Sequence, residues 1–185
     1  MSQLAQSHRY ASINTRLGEN ILMLVSMEGR EEVSRLYEFD VKLKASNSQD
    51  IDPLKLMGQK AVVVLKLGYG EPRYFSGIMA RFSTLGRDEK FQYFQATIVP
   101  ELWILTRRAR SKIFSQKSVP DIVKATLDGL NVEYKISGTY EPRNYCTQYR
   151  ETDSQFAARL LEEEGISYCF KHTEVSNQLM ISDDL

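Results

Sequence analysis

Apolar and polar side chains alternate with period two through residues 36–44, "LYEFDVKLK". Tyr37, Phe39, Val41 and Leu43 fall on one face, and Glu38, Asp40, Lys42 and Lys44 on the other. That pattern predicts a strand buried on one side. "NILMLVSM" (20–27) and "AVVVLKLG" (61–68) are more continuously apolar, which predicts strands covered on both faces. "PRYFSGIMARFS" (72–83) and "KFQYFQATIV" (90–99) flank the Gly-containing "TLGRDE" (84–89), the pattern of a hairpin. "GYGEPR" (68–73) reads as a further turn. "DPLKLMG" (52–58) reads as one helical turn, with Asp52 as cap and Pro53 in the first helical position. Five such strands joined by short turns predict an antiparallel β-barrel or a strongly curled sheet.

After Pro100 the pattern changes. "ELWILTRRARSKIF" (101–114) mixes an apolar cluster with basic residues and reads as a crossover. In "SVPDIVKATLDGLNVEYKI" (118–136), Ser118 is a good N-cap with Asp121 three residues on. Ile122, Val123 and Leu127 give that helix a short apolar face, Gly129 can end it, and Val132, Tyr134 and Ile136 alternate as a strand. The plan repeats in "YCTQYRETDSQFAARLLEEEGISYCFKH" (145–172). Thr152 caps and Gln155 answers it; Phe156, Ala157, Leu160 and Leu161 form a helical stripe. Gly165 ends the helix, Ile166 is placed for a contact back to Leu161, and Ile166, Tyr168 and Phe170 alternate as a strand. "NYCTQYRE" (144–151) is a strand between the two helix–Gly–strand units, and an exposed strand edge is expected around "LMIS" (179–182). The fold class is therefore α+β: a mostly antiparallel β-barrel over 1–105, followed by a small mixed α/β domain over 106–185 that is incomplete.

Composition narrows the function classes. An apolar fraction of 42% over 185 residues is enough for one good core. Lys and Arg together number 24, as do Asp and Glu, and no basic run stands out, so a nucleic-acid partner is not indicated. "MSQLAQSHRY" has no apolar stretch of a secretory signal, and no run reaches membrane-spanning length, so stable membrane insertion by this region is not expected. The two cysteines read as reduced, buried thiols made in the cytoplasm.

Three constellations carry possible chemistry. Cys146, Cys169 and His172 lie close in sequence, but a structural zinc needs four ligands and no fourth is evident. On one strand, Cys169 and His172 point to opposite faces, so the favoured reading is buried thiols and a surface histidine. A nucleophilic triad could draw only on His8 or His172, and no G-x-S-x-G is present. Glu162, Glu163 and Glu164 crowd the last helical turn, where the helix dipole disfavours acids by about 0.3–1 kcal/mol each. Either the turn is simply solvated, or a basic surface in this chain or a partner pairs with it. Carboxylate catalysis needs two acids across a cleft, which neighbours on one turn do not provide. No catalytic, cofactor-binding or metal-ligating residue is assigned, and no cofactor.

"NYCTQYRETDSQFAARLLEEEGISYCFKH", with "SVPDIVKATL" and "RYFSGIMARFS" upstream and "LMISDD" downstream, resembles the N-terminal hub region of the VgrG proteins, spikes of type VI secretion systems. It is similar too to the hub proteins of contractile phage tails. The resemblance implies a structural, non-enzymatic component that docks on a tube of hexameric rings and helps puncture target membranes and deliver effectors. It implies partners in the tube protein, in effectors and in other spike subunits, since family members form trimers with two related barrels per subunit. It implies export through the type VI apparatus without a signal peptide. The chain reaches only Leu185, enough for one barrel and part of an α/β domain. It is therefore expected to be a fragment or a shortened relative, a monomer or weak dimer by itself. The alternatives are a phage tail baseplate hub or, in another class, a cell-wall hydrolase using the acidic helix.

Overall fold

The computed structural model describes residues 6, 9–68 and 70–184. It shows an α+β chain that is mostly antiparallel sheet, divided into two compact units. The first comprises Met1–Glu31, Tyr37–Pro100 and His172–Asn177; the second comprises Glu32–Leu36, Glu101–Lys171 and Gln178–Leu185. His8, one of the two candidate triad histidines, lies outside the described residues.

The first unit is a six-stranded antiparallel sheet. Its strands are β1 (Ala11–Thr15), β2 (Met23–Arg30), β3 (Glu38–Ser46), β4 (Lys60–Leu65), β5 (Arg73–Arg87) and β6 (Phe91–Val99), in the order β1-β4-β5-β6-β3-β2. The alternation at 36–44 is realised directly: Tyr37, Phe39, Val41 and Leu43 are no more than 1% exposed. Tyr37 and Phe39 stack at 4.7 Å, and Phe75 meets Phe39 edge-on at 5.3 Å. Ala61, Val62, Val63 and Val64 of β4 are all buried, as their unbroken apolar run predicts. Asp52 caps a single 3-10 turn, Pro53–Lys55, by accepting from the Leu54 N–H.

Three details of this unit differ from the pattern reading. The apolar run at 20–27 does not mark a strand covered on both faces. β2 is an end strand, and its register slips between Leu24 and Ser26, turning Val25 outward. Leu22, Met23 and Leu24 are buried in succession where the strand begins. The hairpin turn is shorter than 84–89. A further register shift, between Thr84 and Gly86, lets β5 continue to Arg87, and the turn is fixed by Asp88, whose carboxylate accepts from the Lys90 and Phe91 N–H groups. The sixth strand, β1, has the sequence "ASINT"; only Ile13 of it is buried, too little pattern to announce a strand.

β1 and β2 end the sheet and share no ladder. The buried side chain of Gln6 joins them instead. Its Oε1 accepts from the Ile13 N–H (3.1 Å), and its Nε2 donates to the Leu22 carbonyl (2.9 Å). One side-chain amide thus stands where a strand's peptide group would be, and bridges the two ends of the curled sheet.

The second unit begins with a 3-10 helix, Glu101–Arg107. There follow β7 (Ala109–Lys117), α1 (Val119–Thr126), β8 (Val132–Lys135), β9 (Arg143–Thr152), α2 (Asp153–Glu163), β10 (Ser167–His172) and β11 (Asn177–Ser182). Ile122, Phe156 and Leu160 are fully buried between the helices and sheets, with Phe114 stacked on Phe156 at 5.7 Å. The helix ends follow their sequences. Ser118 accepts from the Asp121 N–H, and Thr152 and Gln155 form a reciprocal capping box. Gly165 takes φ 69°, and the Ile166 and Gly165 N–H groups close back on the Leu161 and Glu162 carbonyls, a Schellman motif.

The strand pairings were not legible. Residues 101–114 are no crossover: they hold the 3-10 helix and most of β7, which pairs antiparallel with β9 in a two-stranded ribbon. β7 escaped notice because Phe114 is its only buried side chain. β11 is not an exposed edge. It is the middle strand of a sheet ordered β10-β11-β8 and runs parallel to β8, with Ile181 opposite Tyr134.

Candidate functional site

The acidic end of α2 is a paired site. Arg143, at the start of β9, reaches Glu163 with one guanidinium nitrogen (2.6 Å) and Glu164 with the other (2.5 Å). Arg159, one turn before Glu163, donates to it at 2.9 Å and to Glu151 at 2.7 Å. The unfavourable dipole is therefore offset by a basic surface within the same chain, the sharper of the two readings above. The bond from Arg143 holds the Glu163 carboxyl below its ordinary range, with Arg159 acting the same way. A carboxylate so held is a poor proton donor near neutrality, which removes the support for general-acid chemistry at this turn. Glu162 is exposed and stands outside the clamp.

A second charged cluster was not anticipated. Asp153, the first residue of α2, is buried, its side chain 3% exposed. Its carboxylate accepts from Arg108 and from the buried Gln148 amide (2.8 Å), and forms an ion pair with Arg110 at 3.3 Å. Acids favour a helix N-terminus, so the position is also electrostatically suited. The cue was in the sequence: "TRRAR" supplies the cations and Asp153 follows the cap.

The thiols and His172 do not meet as a ligand set. Cys146 lies in β9 and Cys169 in β10, strands of different sheets. Both are free; burial pushes the Cys146 thiol upward in pKa, the mark of an inert thiol, while Cys169 is only half-buried. Among the described residues no group of three or more His, Cys, Asp or Glu is arranged to hold a metal ion.

His172 is not the surface residue expected: its side chain is 8% exposed. Its ring lies among Tyr37, Phe39 and Phe75. Nδ1 is 3.0 Å from the Ser76 N–H, which can only donate, and the Ser76 carbonyl already accepts from the Tyr37 hydroxyl (2.6 Å). Nδ1 also lies 3.1 Å from the Ser76 carbonyl, and Nε2 lies 2.8 Å from Glu31; the tautomer with its proton on Nε2 lets Nδ1 accept from the Ser76 N–H. Glu31 in turn meets Arg73 at 3.2 Å. The Ser76 hydroxyl lies 3.4 Å from Nδ1, so serine, histidine and glutamate stand in triad order. Ser76 is fully buried, however, and no substrate can approach its hydroxyl. The cluster pins the 172–177 segment within its unit; Asn177 donates to the Tyr37 hydroxyl on the same side.

An open apolar groove of about 620 Å³ lies beside the Gln6 bridge, walled by Leu24, Met27, Val63, Leu65 and Phe75. It holds one charged side chain, Arg9, which donates to the Leu24 carbonyl. Among the described residues its lining is mostly apolar, with no acid or histidine.

The chain is thus a β-rich α+β module of a curled antiparallel sheet and a small unit of capped helices, with Asp153, Glu163 and Glu164 paired to arginines of the same chain. The chain belongs to the phage tail baseplate hub (GPD) family, which it matches over residues 30–185. It is 38% identical to the type VI secretion system spike protein VgrG1b of Pseudomonas aeruginosa over 97% of its own length and 25% of that protein. It is 27% identical to the spike protein VgrG3 of Vibrio cholerae over 90% of its length and 18% of that protein. The chain thus spans about a quarter or less of these curated relatives. In fold it is similar to the E. coli c3393 protein, a type VI secretion component with structural similarity to the T4 bacteriophage tail proteins gp27 and gp5. That match has a TM-score of 0.81 and 24% identity, and covers 93% of this chain and 49% of that one. The expected resemblance to the VgrG family is thereby shown.

Proposed function

We propose that this chain is the non-catalytic hub portion of a type VI secretion spike. In that role it docks on the stacked rings of a hexameric tube protein and passes outward with the spike, carrying effectors and helping to breach the target membrane. The observation that carries the reading is the 38% identity to a spike protein across nearly the whole chain. The pairing of Glu163 and Glu164 with Arg143 and Arg159 supports the non-enzymatic part. We read 1–105 as the hub barrel and 106–185 as the accompanying α/β domain, with residues 101–105 packing in the second unit. Export through the apparatus then requires no signal peptide. No helix among the described residues is long and apolar enough to cross a membrane.

Deleting the codons for residues 1–185 in the source organism, with any flanking codons kept in frame, tests this. Release of the tube protein into the medium is expected to stop and to return on complementation. Undiminished release would overturn the proposal. The family match also favours a second reading, a baseplate hub of a contractile phage tail. That reading requires particles that carry DNA and appear only on lysis.

A further inference from the structure

The two end strands of the six-stranded sheet, β1 and β2, flank an open seam. Every pairing round that sheet is antiparallel, so β1 and β2 run in opposite directions across it. Gln6 bridges the seam at Ile13 and Leu22. Back along β1 to Ala11, and forward along β2 to Met27, the seam opens into the apolar groove. Its floor is the face of the sheet that carries the core. Val63 lies opposite Phe75, whose ring meets the buried Phe39, and Met27 lies opposite the buried Val41.

The walls of the groove are strand edges. An antiparallel strand turns the peptide groups of successive residues to opposite sides. The Ile13 N–H and carbonyl both meet the Gln6 amide, away from β4, so those of Ala11, two residues earlier, face the seam as well. On β2 the Leu24 carbonyl faces the seam, where Arg9 reaches it at 3.0 Å. What already sits in the seam shows what it accepts. The Gln6 side chain presents a carbonyl and an N–H as a peptide group does, and it bonds to both end strands. An extended peptide continues that pairing into the groove and lays every second side chain on the apolar floor. Arg9, the one charged side chain among the described residues of the lining, suits a carboxylate on the incoming strand.

We propose that this seam is a docking slot for an extended segment of another protein, apolar at alternate residues and carrying a carboxylate, which joins the sheet between β1 and β2. A second copy of the chain is a poor occupant. Its own end strands bury Ile13, Met23 and Leu24 within their unit, and its β1 carries no acid.

The test is a titration of the purified chain, at about 150 mM salt, with three end-blocked peptides of about eight residues. The first alternates valine with serine and carries one glutamate. The second has the same composition with its valines gathered at one end. The third is the first with every second peptide nitrogen methylated, so that it cannot pair with one of the two edges. The alternating peptide is expected to bind at least about tenfold more tightly than either of the others. Arg9→Glu should move the preference to the same peptide with lysine in place of glutamate. Ala11→Pro takes an N–H from the seam and none from the ladder with β4, and should weaken the alternating peptide by about tenfold with the circular dichroism unchanged. Equal binding of the methylated peptide to the parent protein would reduce the groove to an apolar cleft and overturn the proposal. So would equal binding of the gathered peptide, no binding of any of the three, variants that bind like the parent, or self-association of the chain abolished by Met27→Glu.

Discussion

Among the described residues the first unit buries polar groups but no Asp, Glu, Lys or Arg, whereas the second buries the carboxylate of Asp153 against two arginines. In the sheet unit, strand alternation places the apolar side chains, and Gln6, Ser76 and Asn177 supply uncharged hydrogen bonds at its margins. In the mixed unit the ribbon strands bury few side chains, Phe114 of β7 and Cys146 and Gln148 of β9. Their positions depend on two helices, and the helices depend on caps and arginine clamps. A charge-dense stretch in the second kind of architecture looks like chemistry when read along the chain. Its residues are engaged in holding helix ends, as the pairing of Glu163 and Glu164 with Arg143 shows.

The sharpest way to break that contrast is in the two cores. Phe39→Ala and Phe156→Ala should each destabilise by about 3–5 kcal/mol, because both rings are fully buried and stacked. Denaturant titrations measure this. A loss below about 1 kcal/mol for either would mean that its unit does not rest on the apolar stripe assigned to it.

Asp153 comes next. Asp153→Ala removes one side of a buried pair, a change costing about 3–5 kcal/mol when both charges are fully buried. Arg108 and Arg110 are about half exposed and can turn to water, so the expected loss is near about 3 kcal/mol or below. If Asp153→Ala were neutral, the second unit would differ from the first only in appearance.

These two cases also show what the sequence could reveal. Phe39 and Phe156 were legible because a side chain every second or every fourth residue can only mean a strand or a helix face. The caps at Ser118 and Thr152 and the glycine at 165 were legible because each does its job within a few residues. Pairings between distant segments were not. Nothing local tells β9 to join β7, or β11 to lie between β10 and β8, and those choices follow from which faces remain apolar after folding. For the same reason Arg108 with Asp153, and His172 with Ser76 and Glu31, went unseen: they are separated by 45, 96 and 141 residues.

Gln6 tests the contrast from the other side, since it is a polar group on which the apolar unit depends. Gln6→Ala would leave the Ile13 N–H and the Leu22 carbonyl without their partner where β1 and β2 meet. Orphaned groups of this kind cost about 1–3 kcal/mol. Hydrogen exchange at the Ile13 amide should accelerate more than at Phe94, deep in β6. Equal acceleration at both sites would show that the sheet does not depend on this bridge.

The smallest effect expected is the acid dependence of the α2 clamp. Arg143 depresses the Glu163 carboxyl, so the unfolded chain binds that proton more readily than the folded one does. Stability from this pairing is therefore fully present above the ordinary value near 4.5 and is lost as pH falls through the depressed folded value. Glu163 is partly exposed and solvent screens it, so the contribution is modest. Other carboxylates, Asp88 and Asp183 among them, are depressed by backbone N–H bonds and titrate over the same range. The informative quantity is thus a difference: the stability of the parent minus that of Glu163→Gln, measured by urea titration at neutral pH and again well below pH 4. The parent should be the more stable at neutral pH, and the gap should close in acid as the glutamate takes up its proton and comes to resemble the amide. A gap that persisted unchanged in acid would mean that Arg143 holds Glu163 by geometry alone. The end of α2 would then owe nothing to charge, and the distinction between the two units would rest on Asp153.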